Sequence, residues 1–119
     1  MPKLYVVDGG MRKDRVFELG KKTLFVGRSA SNDIRIKDPT VSRKHLKVYT
    51  GREMQMFFIE DLNSSNGTFL GENFLEPGEA FQIDDQDTVS IANTVLRFNH
   101  RQSQRTFELA ERCARSFFV

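Results

Sequence analysis

Residues 27–45 read GRSASNDIRIKDPTVSRKH, and this stretch determines how the rest of the chain is interpreted. An apolar run ends at Gly27-Arg28, and the centre of the stretch, Ile34-Arg35-Ile36, alternates apolar and charged residues as a strand with one buried face does. A turn signal at Asp38-Pro39 follows. The stretch ends on the polar group Ser42-Arg43-Lys44-His45, so it predicts a charged loop held between short strands.

A second polar loop, NSSNGT at residues 63–68, follows further along the chain. A phosphorylated side chain carries about −1.5 to −2 charges and three strong acceptor oxygens, so its site needs a permanent cation and several neutral donors. Arg28 offers a planar charged fork, and Ser42 and Ser65 offer hydroxyl donors on short side chains. Asn66 both donates and accepts, which suits a peptide backbone. Together the two loops favour a phosphorylated side chain on an extended peptide.

Outside these loops, residues 3 to 99 consist of short apolar runs separated by turn signals such as Gly71-Glu72-Asn73 and Pro77-Gly78. Valine, isoleucine, phenylalanine and threonine dominate the runs, as β-structure prefers. The runs predict strands at about 3–7, 14–19, 23–28, 33–36, 45–50, 54–61, 67–70, 79–83, 87–92 and 94–99. About ten to eleven short, mostly antiparallel strands at this spacing predict an all-β fold, a sandwich or a small barrel.

The last nineteen residues, 101–119, differ from the rest in their pattern of polar and apolar residues. Residues 101–105 are polar and resemble a linker, and Thr106 can cap a helix that follows it. Apolar residues then recur at three- and four-residue spacing, at Phe107, Ala110, Ala114 and Phe117. We therefore expect a β-domain at 1–100 and a linker plus an amphipathic C-terminal α-helix at 101–119. Such a short helix needs something to pack on, either the sandwich or another chain.

Composition bounds the function. A chain of 119 residues is most simply one domain. Residues 1–100 carry 14 Lys/Arg and 14 Asp/Glu, whereas residues 101–119 carry 4 Arg and 2 Glu, which accounts for the net charge of +2. Because the main body is neutral overall, its positive potential must come from local placement of cations. That balance argues against a nucleic-acid partner, which would favour a broad basic surface.

Other classes of site lack their residues. No His, Cys and Asp cluster has the spacing of a metal site, so no metal and no cofactor are expected. Ser42 with His45 is no catalytic pair, since an orienting acid and an oxyanion site are missing, and we expect no enzyme. His100 is expected on the surface. The single cysteine, Cys113, and the absence of a long apolar run or a leader pattern favour a cytoplasmic protein without a membrane partner.

These dispersed elements, taken in order, closely resemble the forkhead-associated (FHA) domain, a β-sandwich module that binds phosphothreonine peptides. The resemblance covers roughly residues 3–99. It is carried by Gly27-Arg28, Asp33-Ile34-Arg35-Ile36, Val41-Ser42-Arg43-Lys44-His45, Asp61-Leu62 and the loop Ser64-Ser65-Asn66-Gly67-Thr68. Each element is weak alone, and their order makes the combination specific.

The resemblance implies a role for each matching residue. The peptide-binding set is Arg28, Ser42, Arg43, Ser65 and Asn66. Arg28 is expected to bind the phosphate or the backbone beside it, and Ser42 to donate to a phosphate oxygen. Arg43 and Ser65 are further contacts on the phosphate side, and Asn66 fixes the peptide backbone next to the phosphorylated residue.

The resemblance also implies residues that support the site. The expected scaffold residues are Gly27, His45, Gly67 and Thr68, with the histidine tying the loops together. Thr40 stands where family members tune the choice of the residue three after the phosphothreonine. A small slot for the threonine methyl group is the family's reason for preferring phosphothreonine over phosphoserine.

The chain departs from the common family pattern in three places. Asn63 replaces a frequent glycine, although asparagine also tolerates the left-handed conformation. Asp85-Gln86-Asp87 and Ile91-Ala92-Asn93 lack the glycines that usually flank the penultimate strand. Both segments lie far from the ligand loops in the family architecture, so we expect altered turns and retained binding.

Two functions from different classes follow. The first is a phosphothreonine-peptide recognition module that mediates phosphorylation-dependent protein–protein interaction in signalling. The alternative is a phosphate-independent assembly module that self-associates through the sandwich or the C-terminal helix. Arg43 could instead pair with Asp38 or Asp61, and Ser42 and Ser65 could be plain turn formers.

Overall fold

The alternating runs of the sequence become two β-sheets. A computed structural model describes residues 2–8, 15–51 and 56–100, and the predicted helix at 101–119 lies outside them. Within that part of the chain there are eleven strands. They are β1 (Lys3–Asp8), β2 (Arg15–Glu18), β3 (Leu24–Gly27), β4 (Ile34–Arg35), β5 (Leu46–Thr50), β6 (Phe57–Asp61), β7 (Phe69–Leu70), β8 (Asn73–Phe74), β9 (Ala80–Ile83), β10 (Thr88–Ile91) and β11 (Thr94–Asn99).

The strands divide into a six-stranded sheet of order β2-β1-β11-β10-β7-β8 and a five-stranded sheet of order β4-β3-β5-β6-β9. The described pairings are antiparallel except for the short parallel pair of β3 and β4, in which Val26 faces Ile34 and Gly27 faces Arg35. β3, β4 and β5 therefore bring the two ends of the 27–45 stretch to one end of the five-stranded sheet.

The core lies between the two sheets, because alternate residues of each strand point inward. In β11, for example, Leu96 and Phe98 are buried while Val95 is exposed. Phe57 from one sheet meets Phe98 from the other with ring centroids 5.4 Å apart. Each such side chain contributes roughly 1.5–3 kcal/mol through removal of apolar surface from water. The all-β sandwich predicted from the sequence is confirmed.

Two details of the sequence prediction were wrong. The turn predicted at Gly71-Glu72-Asn73 forms at Gly71-Glu72, but the strand after it, β8, was not predicted: Asn73 and Phe74 pair with Leu70 and Phe69 of β7. Both residues of β8 are exposed, so no buried apolar position marks this strand in the sequence. His100, expected on the surface, is only 4% exposed, and its ring packs edge-on against Phe57 at 5.4 Å.

The expectation for Asn63 is confirmed. Its φ is 63°, in the left-handed region that asparagine tolerates. Gln86 and Ala92 also have positive φ, at 74° and 54°, in the two turns that lack the usual glycines. The chain therefore keeps the left-handed turns at all three positions and fills them with side chains. The expectation that Ile91-Ala92-Asn93 lies far from the ligand loops was wrong, because the Asn93 backbone lies close enough to the Asp38 carboxylate of the β4–β5 connection to lower its pKa.

Candidate functional site

Three connections meet at one end of the sandwich: the β3–β4 loop, the β4–β5 connection and the β6–β7 loop. Together with Gly27 at the end of β3, they contain all ten residues that the sequence singled out for the site or its support. Backbone and side-chain hydrogen bonds join the three connections directly, as described below, so the site is preorganised by its own scaffold.

Gly27 allows the first two connections to lie in contact. A Cβ atom at this position would overlap the carbonyl oxygen of Arg43. The Arg28 N–H donates to the Ser42 carbonyl at 2.9 Å, and the Ser29 N–H donates to the Arg43 carbonyl at 3.2 Å. The structure thus gives the predicted scaffold glycine a physical reason, close backbone approach.

Asn32 strengthens the same junction and was not singled out from the sequence. Its Nδ2 donates to the carbonyl oxygens of Ser29 at 2.8 Å and Arg43 at 2.6 Å. The side chain is 8% exposed, so these bonds form away from bulk water. The sequence offered one indication of this role, the position of Asn32 within residues 27–45. The local sequence does not show which carbonyl oxygens its side chain would reach.

His45 joins the second connection to the third. It is fully buried. Its Nδ1 accepts from the Ser42 N–H at 3.1 Å, and its Nε2 lies 2.9 Å from the Gly67 carbonyl oxygen. Because a carbonyl oxygen can only accept, the ring proton lies on Nε2 and the imidazole is neutral. His45 therefore crosslinks the β4–β5 connection and the β6–β7 loop.

Asp61 organises the third connection from its buried position at the end of β6. Its Oδ1 accepts from the hydroxyls of Ser64 and Thr68, both at 2.6 Å, and its Oδ2 accepts from the Ser64 N–H at 2.9 Å. Burial raises the pKa of the Asp61 carboxyl, but these hydrogen bonds outweigh burial and hold the pKa below its ordinary value. A charged carboxylate thus sets the loop, with Thr68 as one of its donors.

Gly67 completes the support of this loop. It has φ of 88°, and an added Cβ would overlap the ring of Phe74. Its N–H donates to the Ser64 hydroxyl at 3.0 Å. Asp61 belongs to the motif but its role, and that of Ser64, were missed because their partners become visible only when the loop closes.

Ser42, Ser65 and Asn66 meet across the two ligand loops. The Ser65 N–H donates to Ser42 Oγ at 2.9 Å, which leaves the Ser42 hydroxyl hydrogen for another acceptor. Asn66 Nδ2 donates to the Thr40 carbonyl at 2.8 Å. The Ser65 and Asn66 side chains are exposed, and Ser42 is half-buried. Neutral donors from both loops therefore lie side by side at this end of the sandwich. We call the edge formed by Ser42, Ser65 and Asn66 the rim.

Arg28 supplies the cation beside that rim. Its Nε donates to the Val41 carbonyl at 2.9 Å, so the guanidinium is anchored by one edge while its terminal N–H groups face outward. Its side chain is exposed. Arg43 is exposed as well, but Lys44 Nζ lies 4.6 Å from the centroid of the Phe25 ring, against the sandwich.

Asp38 and Asp61, the two carboxylates that could pair with Arg43, accept hydrogen bonds from other groups. Asp61 is bound as described above, and Asp38 Oδ1 accepts from the Thr40 N–H at 2.9 Å and the Thr40 hydroxyl at 2.6 Å. These two bonds hold the pKa of the Asp38 carboxyl below its ordinary value. Thr40 thus shapes the turn before Ser42 and exposes its side chain at the rim.

The described residues contain neither a metal-binding cluster nor a membrane-spanning helix. No group of three His, Cys, Asp or Glu side chains among them could hold a metal ion. No helix in this part of the chain is long and apolar enough to cross a membrane.

Comparison with known families decides the identity of the fold. The family model described as FHA domain matches residues 24–92, more than half of the chain. The chain belongs to the FHA domain family. The matched range contains every residue of the candidate site.

Two curated relatives illustrate the similarity of this FHA domain. An FHA domain-containing protein of Arabidopsis thaliana, At4g14490, is 34% identical over 90 residues, covering 75% of this chain and 23% of the relative. The human nuclear inhibitor of protein phosphatase 1 is 32% identical over 108 residues, covering 90% of this chain and 31% of the relative. The chain therefore spans about a quarter to a third of the length of these relatives.

A solved structure shows the same fold. It comes from a structural and functional analysis of phosphothreonine-dependent FHA domain interactions, has a TM-score of 0.67 and is 26% identical. The alignment covers 82% of this chain and 94% of that one. This FHA domain thus shares its overall fold with a domain from a study of phosphothreonine-dependent FHA interactions.

Proposed function

We propose that this FHA domain binds phosphothreonine-containing segments of a protein partner and serves as a non-catalytic recognition module. One observation carries the proposal: Arg28 lies beside Ser42, Ser65 and Asn66 on one rim. Arg28 is held there by the Val41 carbonyl, and the Ser65–Ser42 and His45–Gly67 hydrogen bonds crosslink the other two connections. A preformed rim loses little conformational entropy when a ligand binds.

Each rim residue has a distinct role in this proposal. Arg28 supplies the permanent charge and a planar pair of donors for two phosphate oxygens. The Ser42 hydroxyl donates to the phosphate, since its oxygen already accepts from Ser65. Arg43 and Ser65 add donors on the phosphate side.

Asn66 and Thr40 serve the rest of the peptide. Asn66 already binds one backbone carbonyl, that of Thr40, and exchange of this bond would let it bind the peptide backbone beside the phosphothreonine. Thr40 is exposed next to the rim and contributes to the choice of the residue three after the phosphothreonine. The preference for phosphothreonine over phosphoserine rests on the family resemblance and on the phosphothreonine dependence of the structural relative.

A peptide library tests the proposal. Phosphothreonine, phosphoserine and unphosphorylated versions of each sequence are titrated against the full chain by fluorescence anisotropy. We expect measurable binding of phosphothreonine peptides, weaker binding of phosphoserine peptides and none of the unphosphorylated copies. Equal binding of phosphorylated and unphosphorylated copies, or no binding of either, would overturn it.

The assembly alternative stays a prediction, because the apolar stripe that motivates it lies in residues 101–119, outside the described ranges. Sedimentation of residues 1–100 and of the full chain discriminates the two. Self-association that disappears with residues 101–119 supports the alternative, whereas identical monomers exclude assembly driven by the helix.

A further inference from the structure

Beside the proposed phosphate site lies an open groove of about 550 Å³, lined by Arg28, Arg35, Lys37, Asp38 and Pro39. Arg28 is common to the groove and to the rim. The groove carries three cations and one carboxylate, although residues 1–100 have equal numbers of acidic and basic residues. The local excess of positive charge therefore arises because the fold brings these three cations together.

Strand alternation places two of these cations on one side. Ile34 and Ile36 are buried in the core, so Arg35 and Lys37 both point outward. Arg35 is also fixed against the rim residue, because its Nε donates to the Arg28 carbonyl at 3.0 Å. The guanidinium of Arg35 is thus oriented, with its terminal N–H groups left for a ligand.

The groove cations form no ion pairs with carboxylates of the described residues. Within the described ranges, Arg28, Arg35 and Lys37 have no carboxylate oxygen within 4.0 Å. The nearby Asp33 is occupied by Lys22 at 3.1 Å and by the Phe25 N–H. Asp38 lines the groove, but its Oδ1 is bound by Thr40. Two cations in addition to Arg28 therefore face solvent.

We propose that this groove binds a second anionic group on the same peptide, a carboxylate or a second phosphate close in sequence to the phosphothreonine. The proposal rests on the proposed function, since Arg28 anchors the first phosphate. An extended peptide advances about 3.3 Å per residue, so a residue a few positions away can reach the groove while the phosphothreonine occupies the rim. The neutral body disfavours a broad polyanion such as a nucleic acid.

The test uses peptides built on one phosphothreonine in an Ala/Gly host, with a second group scanned over the four positions on each side. Glutamate, phosphoserine and glutamine are compared at each position against the full chain. We expect glutamate to tighten binding about two- to fivefold over glutamine at one or two positions. Phosphoserine should tighten it by roughly tenfold there, and both gains should shrink as salt rises.

Variants assign any gain to the groove. Lys37→Gln is the decisive change, because Arg35→Gln would also release the Arg28 carbonyl. Lys21→Gln is the matched control, since it removes the same charge from an exposed site outside the groove. We expect Lys37→Gln to remove most of the gain from the second anion, to leave binding of the singly phosphorylated host nearly unchanged, and Lys21→Gln to do neither.

The outcomes separate the two proposals. Failure of every phosphopeptide, including the host, would refute the proposed function itself. Binding of the host with no gain from a second anion at any position would refute the groove alone, as would a gain that Lys37→Gln leaves intact. A gain from phosphoserine without one from glutamate supports the groove and assigns it to a second phosphate.

Discussion

At the scale of single residues, Arg28 shows how hydrogen bonds to the backbone fix the orientation of a surface guanidinium. Its Nε is bound to the Val41 carbonyl and its backbone N–H to the Ser42 carbonyl, so the guanidinium cannot sweep freely through solvent. An anchored guanidinium has already lost part of the rotamer entropy that binding would otherwise cost. Lysine would keep the charge but lose the fork and its anchor.

Arg28→Ala should therefore weaken phosphothreonine-peptide binding strongly. The charge-assisted hydrogen bonds that it removes are worth about 1.5–3 kcal/mol each, which corresponds to a loss of roughly tenfold or more. Calorimetric titration measures the loss, and circular dichroism verifies the fold. Lys44→Ala removes the same charge from a side chain packed on Phe25 and should have a much smaller effect. A folded Arg28→Ala protein with unchanged affinity would contradict the role.

At the scale of elements, a few buried polar side chains hold the ligand loops in place. Several turns also place non-glycine residues at positive φ, which most residues avoid. His45 and Asp61 together connect the β4–β5 connection, the β6–β7 loop and the end of β6. The tight β10–β11 hairpin, in which Ile91 pairs with Thr94, lies at this same end, because Ser90 pairs with Phe69 directly after the β6–β7 loop. Substitutions at His45 and at Ala92 test the loop crosslink and the strain of this turn.

His45→Ala should destabilise the fold and the site together. It leaves the Ser42 N–H and the Gly67 carbonyl without their partner and opens a cavity, a combined cost of about 2–4 kcal/mol. Urea unfolding measures this cost, and the peptide titration should show weaker binding because Ser42 and Ser65 lose their alignment. The neighbouring exposed Lys44→Ala serves as the control. A destabilisation below about 1 kcal/mol would mean that the crosslink contributes little.

Ala92→Gly should stabilise the protein. Ala92 is the first residue of the two-residue hairpin loop and has φ of 54°, a position at which type II′ turns place glycine. Relief of the left-handed strain should contribute about 1 kcal/mol, a rise of roughly 4 °C in Tm. Ala80→Gly, on an exposed strand position, should lower Tm instead. A lower Tm for Ala92→Gly would contradict the strain.

At the scale of the whole molecule, the two sheets bury titratable groups that belong to neither ligand loop. His100 follows β11, and its ring contacts Phe57 and Phe98, one from each sheet. Its backbone N–H donates to Asp85 Oδ1 at 2.8 Å. Burial lowers the pKa of the His100 imidazole below its ordinary value.

Stability should accordingly fall as the pH drops through about 6.5. The unfolded chain takes up a proton on His100 there, whereas the folded protein resists it, so protonation favours unfolding. This contribution is fully present above the ordinary histidine pKa. Thermal unfolding at pH 8 and pH 5.5 measures the loss, and His100→Gln should show a smaller difference between the two pH values. An equal difference in both proteins would assign the loss to other groups.

Much of the fold and of the candidate site was predictable from the order of residues. Alternation such as Ile34-Arg35-Ile36-Lys37 marks a strand and its buried face, because side chains alternate between the faces of a sheet. Gly27, His45, Gly67 and Thr68 were predicted as support from their place in the motif, and the structure gives each of them a contact. Asn63 was expected in the left-handed region and lies there.

Other features depend on residues that are distant in the sequence and meet only after the sheets pack. His100 is buried because Phe57 and Phe98 arrive from two different sheets, a fact that no local pattern contains. β8 exists only through its pairing with β7. The groove beside Arg28 arises because the parallel pairing of β3 and β4 sets Arg35 next to Arg28, so the second cationic surface follows from strand register and not from any motif.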